Sequence, residues 1–303
     1  MQLSTDSDSL LVFEALASEV RLRIIDLLHH GEKSIKALAE ALSLSSAIVS
    51  VHVGKLQKAG IISCRNKRIR GGTYKFCSLA THHLQINLSP DSNRSSRKLV
   101  EISIPVGHYT DVQAIPTCGL ASVEKLIGQY DDPRFFMDPE RVQAGILWFY
   151  KGYVEYKVPN YLFRNQRLNE VEISMEIGSE APKIHEQWPS DIRFYMNSTY
   201  LGKWTSPGDF GRRKGRLTPE WWSPDVNQYG LLKVLRLNAN GTFIDGQRIS
   251  DLKIHDLDWN ADSWTFRLTA EDTGRGRGGL TLFGRGFGNY DQDLLFRVYY
   301  DSH

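Results

Sequence analysis

Four basic side chains, Arg65, Lys67, Arg68 and Arg70, fall within six residues and run into the pair Gly71–Gly72. Guanidinium and ammonium groups at that density suit a polyphosphate backbone, and adjacent glycines let a loop tip bend toward one. Just upstream, the stretch 42–60, LSLSSAIVSVHVGKLQKAG, carries a second kind of chemistry. Read as a helix capped by Ser45, it turns Val49, His52, Val53 and Leu56 inward. The outward face then carries Ser46, Ala47, Ser50, Val51, Gly54 and Lys55. Serine hydroxyls can meet base edges or phosphates, Ala47 and Val51 suit thymine methyl groups, and Lys55 suits a phosphate. His52 falls at the rim of the packed face, where a structural or phosphate-touching role is expected.

The other candidates lie far downstream. Trp204, Trp221 and Trp222 share a turn-rich stretch with Asp209, Arg212 and Arg213, and Asn289, Tyr290, Asp291, Gln292 and Asp293 follow near the end. Aromatic faces beside planar polar groups are what a sugar requires; the alternative is that the tryptophans fill a core and the polar residues make turns. His108, Tyr109, Asp111 and Cys118 form a further group, in which Cys118 is either a reactive thiol or a small buried hydrophobe. Glu155, Glu172, Glu176, Glu186, Asp256 and Asp258 are numerous enough for a glycosidase-type pair. No spacing selects two of them, and acids alternating along strands are expected to face water. Gly274, Gly276 and Gly279 spell G-x-G-x-x-G, but a strand from Leu280 follows, so no dinucleotide site is expected.

The elements that must position these residues change character along the chain. Up to Gly60 the period is helical. Ser18 can cap a helix with Val20, Ile24, Leu27 and Leu28 on one face, and Gly31 can stop it. Ser34 can cap a second with Ile35, Leu38, Ala39 and Leu42, and the segment SLLVFEAL predicts a further helix in front. Ile61–Arg65 and Thr73–Ser78 read as strands joined by a loop holding Lys67, Arg68 and Arg70. The polar run 87–97, NLSPDSNRSSR, is a linker or a long loop. Beyond it, alternation of period 2 dominates, as in Val100, Ile102, Ile104 and Val106 or in Val171, Ile173, Met175 and Ile177. Many short strands over some 200 residues predict an antiparallel sandwich or jelly roll, interrupted by one helical piece at Ala121–Gly128.

The totals agree with two domains. The chain has 303 residues, 41% hydrophobic and 24% charged, with a net charge of +2. That charge is uneven, +4 over residues 1–90 and −2 over the rest, so only the front has the sign expected for a polyanion partner. No stretch is long and apolar enough to span a bilayer, and the first ten residues lack the basic start of a signal peptide. Three cysteines, Cys64, Cys77 and Cys118, are too few for a disulfide scaffold, and a cytoplasmic location is expected.

The run Leu38–Ile62 resembles the recognition unit of ArsR-type repressors, through Leu44, Ser46, Val49, Ser50, His52, Leu56, Ala59 and Gly60, and Ala17–Leu28 resembles the helix before it. The resemblance covers about a quarter of the chain and implies a winged helix-turn-helix that reads double-stranded DNA as a homodimer. It does not extend to metal sensing. The stretch KSIKALAEAL has neither Cys nor His, Cys64 and Cys77 on neighbouring wing strands make only two soft ligands, and the adjacent His82 and His83 diverge. Ile192–Trp222 and Leu282–Leu294 more loosely resemble the galactose-binding-like jelly roll of long ArsR-like regulators. The expected fold is therefore multidomain α+β: a winged helix-turn-helix over residues 1–88, a linker over 89–97 and an antiparallel β-sandwich over 98–303. The expected function is a DNA-binding transcriptional regulator, a repressor, whose sandwich senses a sugar-like effector, with no cofactor, metal or membrane. The alternatives are a constitutive DNA-binding protein whose sandwich serves dimerisation or protein contact, and a carbohydrate-active enzyme fused to a winged helix. Its binding residues would be Ser45, Ser46, Ala47, Ser50, Val51, His52, Lys55, Lys67, Arg68 and Arg70 for DNA. For the effector they would be Trp204, Asp209, Arg212, Arg213, Trp221, Trp222, Asn289, Tyr290 and Asp291.

Overall fold

A computed structural model describes the chain except for Asp6, His30, Arg70, Gly71, His82, His83, 88–97, 272–277 and His303. The chain forms two compact units, Met1–Ser95 and Ser96–His303. In the first, β1 (Gln2–Ser4) pairs in parallel with β5 (Gln85–Asn87), and the helices are α1 (Leu10–Leu16), α2 (Glu19–His29), α3 (Ile35–Leu42) and α4 (Ser46–Lys58). A three-stranded sheet orders β2 (Lys33–Ser34), β4 (Gly72–Leu79) and β3 (Ile62–Ile69).

The caps follow from the residues. Ser34 Oγ accepts from the Ala37 amide at 3.1 Å and Ser45 Oγ from the Ile48 amide at 3.3 Å, which satisfies donors the helix cannot pair itself. Ser43, in the left-handed conformation at φ 56°, turns the chain between α3 and α4. Ile24, Leu28, Leu38, Val49, Val53 and Leu56 bury together and lock the helix-turn-helix in place. The wing strands are longer than their alternation predicts. Lys67 opposes Tyr74 and Arg68 opposes Thr73 within the ladder, so both basic residues stand on β3 rather than in the loop. The Lys67 ammonium lies 4.9 Å from the centre of the Phe76 ring, a contact that favours the added pairing. Arg70 and Gly71 lie outside the described residues.

The second unit is an antiparallel β-sandwich. Its strands are β6 (Lys98–Ile104), β7 (Asp111–Ala121), β8 (Leu126–Ile127), β9 (Ile146–Pro159) and β10 (Gln166–Gly178). They continue with β11 (Ser190–Met196), β12 (Thr199–Ser206), β13 (Leu231–Asn238), β14 (Gly241–Ile244) and β15 (Gln247–Ser250). β16 (Ser263–Ala270), β17 (Leu280–Phe283) and β18 (Leu294–Ser302) complete it. One layer runs β12-β11-β16-β9-β7 and the other β15-β14-β13-β10-β18-β6, with β17 joining β9 to β10. The core lies between them, where Phe266 of β16 meets Phe296 of β18 edge-on with centroids 5.6 Å apart.

Two expectations need correcting. Ala121–Gly128 is not helical. Ala121 ends β7, the Ser122 hydroxyl accepts from the Glu124 and Lys125 amides, and the resulting turn leads into β8. The acids that alternate along β10 do not face water: Glu170, Glu172 and Glu176 are 1%, 3% and 1% exposed. Glu172 stands directly across from Arg236 of β13 and Arg297 of β18, which in turn opposes Glu101 of β6. The four side chains form a charge-alternating row across the sheet. Burial alone would raise the Glu172 carboxyl, but attraction to Arg236 and hydrogen bonds from Arg297 and Arg236 hold it below the usual range.

Candidate functional sites

The outward face of α4 is built as its spacing predicts. Val49, Val53 and Leu56 are buried, while Ser46, Ala47, Ser50, Val51 and Lys55 are exposed. Val51 is 62% and Ile48 47% exposed, so an apolar strip lies beside the serines. Ser45 spends its Oγ on the helix cap, which leaves Ser46 and Ser50 with the free hydroxyls on this face. His52 is half-buried, and its Nδ1 has no hydrogen-bond partner. Burial first, then the charges of Arg21 and Lys55, lower its pKa, so the imidazole is neutral at pH 7.

On the wing, Arg65 and Lys67 both pair with Glu32, just before β2. Lys67 is thus committed to the scaffold, whereas Arg68 is exposed on the outer part of β3. Glu32 was not foreseen; its signal in the sequence is a lone acid ahead of a strand that pairs with the wing. The Cys64 and Cys77 sulfurs lie 3.0 Å apart across β3 and β4, and burial, followed by the contact with Cys64, pushes the Cys77 thiol up to about 12. Among the described residues no group of three His, Cys, Asp or Glu side chains is placed to hold a metal.

In the β-rich unit the expected cluster is divided. Asp209 and Trp222 line one cavity, together with Glu180, Asn227, Trp148 and Tyr130, none of which the sequence singled out. Trp204 does not line it; that ring is half-buried on β12 with the Lys233 ammonium 4.8 Å from its centre. Trp221 is 41% exposed and donates its ring N–H to the Val123 carbonyl, while Arg212 pairs with Glu186 and Arg213 is exposed. The Asn289 and Tyr290 amides both donate to Glu176, as does the Gly230 amide, so this loop is fastened to β10. Gly288 has φ +70°, and a Cβ there would lie 2.4 Å from the Glu176 carboxylate, so this close approach requires glycine. Asp291 is exposed beside it. Cys118 is fully buried, and burial pushes its thiol up to about 12, the behaviour of a packed hydrophobe rather than of a reactive thiol. Tyr109 is buried with its hydroxyl donating to the Phe136 carbonyl, and Asp111 accepts from Tyr153 at the surface.

A capped helix with an exposed polar face, followed by a basic two-stranded wing, defines a DNA-binding unit of the transcription-regulator type. The helix-turn-helix domain family matches residues 16–65. A solved "possible transcriptional regulatory protein" fragment from Mycobacterium bovis is 30% identical, over 24% of this chain and 73% of its own, with a TM-score of 0.22. The homodimeric winged helix-turn-helix domain of Mb0332 from Mycobacterium bovis, described as a possible ArsR-family regulator, is 27% identical over 25% of this chain and 75% of its own, at a TM-score of 0.22. A carbohydrate-binding module, CBM36, aligns with 66% of this chain and 98% of its own at 9% identity and a TM-score of 0.28. No curated protein matches the chain. The N-terminal unit thus carries a helix-turn-helix domain of the transcription-regulator type and is similar to ArsR-type winged helix-turn-helix proteins. Among the described residues no single helix is long and apolar enough to cross a membrane.

Proposed function

We propose that the chain is a repressor that binds operator DNA as a homodimer and that its β-rich unit senses a small molecule. The observation that carries the DNA-binding mode is the exposed face of α4, where Ser46, Ser50 and Lys55 stand beside an apolar strip and near a basic wing. In a dimer two such helices enter successive major grooves, about 34–36 Å apart. Ser46 and Ser50 read or position, Ala47 and Val51 contact thymine methyls, and Lys55, Arg68 and Arg70 meet phosphates, with Ser45 and His52 shaping the helix that presents them. The Mb0332 domain is described as homodimeric, which supports the dimer here. The test is binding of the full-length protein to DNA from upstream of its own gene across a salt series. Three or four phosphate contacts give a slope of about 0.9 log unit each per decade of salt. A slope near zero contradicts the wing's role, and a sedimentation mass of one chain on a bound site contradicts the dimer.

Sensing by the β-rich unit is supported by its cavity, in which the buried Oδ1 atoms of Asp209 and Asn227 lack hydrogen-bond partners. The carbohydrate expectation retains Asp209 and Trp222 there and does not gather Trp204, Arg212 or Arg213 beside them. A ligand that changes operator affinity supports sensing. Operator affinity indifferent to every ligand the unit binds supports instead a sandwich used for dimerisation or protein contact.

A further inference from the structure

A cavity of about 130 Å³ lies where β7, β9 and the chain beyond β10 come together. Its inner wall is rich in acceptors. Asp209 and Asn227 are 2% and 3% exposed, and Oδ1 of each has no hydrogen-bond partner. Glu180, 5% exposed, accepts from Thr117 Oγ1 at 3.0 Å and from Asn227 Nδ2 at 3.1 Å, donors that suit an ionised carboxylate. Among the described residues no basic side chain forms an ion pair with Glu180 or Asp209. Burial accordingly pushes the Asp209 carboxyl up to about 7, against the pull of the Ala181 amide. Burial and the Asp209 charge raise that of Glu180 as well. Two buried acids without a basic partner are neutralised either by protonation or by a cation from outside, and a bound cation would draw both toward the ionised form.

The other side of the cavity is aromatic. The Trp148 and Trp222 rings stand at 75° with centroids 5.6 Å apart, and Tyr130 is tilted 45° to Trp148 at 5.9 Å. Gly119 fixes this arrangement, because a Cβ there would fall 2.3 Å from the Trp148 ring. Tyr130 is half-exposed at the mouth, near Asp131 and Lys183. Rings set at angles around an anionic pocket hold alkylated ammonium groups through cation–π attraction. A cavity near 150 Å³ accommodates about one six-membered ring, so the ligand is small. A sugar would satisfy the free oxygens but bring no charge, and no metal-binding group of three ligating side chains is present among the described residues.

We propose that this cavity binds a small organic cation, with its ammonium charge against Asp209 and Glu180 and its carbon shell against Trp148, Trp222 and Tyr130. The inference deepens the sensing role proposed above, but its test needs no DNA. Choline, tetramethylammonium and the uncharged choline isostere 3,3-dimethylbutan-1-ol are titrated into the full-length protein by calorimetry and tryptophan fluorescence, alongside glucose, galactose and xylose. Choline is expected to bind saturably and the isostere at least about tenfold more weakly. Asp209→Asn, which keeps the side-chain shape, should weaken choline binding about tenfold or more. At the exposed rim, Tyr130→Ala should weaken it about 3- to 30-fold while Tyr130→Phe retains it. Equal binding of the isostere, binding of a sugar in place of choline, unchanged affinity in Asp209→Asn, or no saturable binding of either ammonium probe below about 10 mM would overturn the proposal. Choline that binds but leaves operator affinity unchanged removes the sensing role and keeps the site. A different ligand that shifts operator affinity while no ammonium binds does the reverse.

Discussion

Arg21 is 7% exposed, yet its guanidinium reaches the Ala15, Glu14 and Ala17 carbonyls at 2.6, 2.7 and 3.5 Å. These are carbonyls that the end of α1 leaves unpaired, and a cation there also meets the negative end of the helix dipole. Arg21→Met keeps the aliphatic stem and removes the donors, so it should destabilise the N-terminal unit by about 2–4 kcal/mol. All the described α-helices lie in that unit, and urea unfolding followed by helical circular dichroism reads the change. The thiols give a second test at this scale. Cys77 and Cys118, both buried and pushed up to about 12, should resist iodoacetamide at pH 7.5 in the folded protein and react after unfolding. Mass spectrometry of the labelled peptides distinguishes the two. Arg21 also marks a limit of what the sequence displayed. Its position one turn before Ile24 put it on the apolar face, but the carbonyls that make its burial tolerable belong to another helix. Asp209 and Trp222 stood out by residue type, whereas nothing in the sequence singled out Glu180 or Trp148, because a cavity is a property of the segments that meet and not of any one of them.

Among the elements, α3 and α4 were legible because local signals coincide there: a serine cap and a period of 3.6, with Gly60 following α4. The wing was legible in kind but short in extent, since the pairs Lys67–Tyr74 and Arg68–Thr73 depend on register and not on hydrophobic alternation. Arg68→Ala should therefore lower affinity for all DNA sequences alike and reduce the salt slope by about one contact's worth. Ser50→Ala should change preference among operators with a smaller loss of general affinity. Fluorescence anisotropy on an operator and on a scrambled duplex separates the two. If Arg68→Ala alters preference instead, the roles are reversed. β10 was misread for a related reason. Alternation revealed its apolar face, but the Glu172 row on the other face is buried by the arginines of β13 and β18. Removing Arg297 takes one of its paired cations from the buried Glu172, so Arg297→Met should cost more stability than Arg297→Met combined with Glu172→Gln, as a double-mutant cycle of urea midpoints would show.

At the scale of the molecule, all seven tryptophans lie in the β-rich unit, so their fluorescence follows its unfolding alone. Burial pushes the Glu176 and Asp209 carboxyls up to about 7, from ordinary values of 4.5 and 3.8. A raised carboxyl means that the folded state prefers the protonated form. The associated stability is complete below the unfolded values, at about pH 4, and is lost as pH rises through about 7. Urea stability read by tryptophan fluorescence should fall between about pH 5 and 7.5 by a few kcal/mol, and Asp209→Asn should flatten part of that fall. A profile that rises over this interval contradicts the assignment. The division of labour proposed for the two units rests first on the N-terminal one meeting DNA as a symmetric pair. Footprinting on DNA upstream of the protein's own gene tests this most directly. Two protected half-sites related by a dyad, with centres about one helical turn apart, are predicted, and Ser50→Ala should alter which sequences are protected. Protection that spreads without sequence preference, or a single unrepeated site, would contradict it.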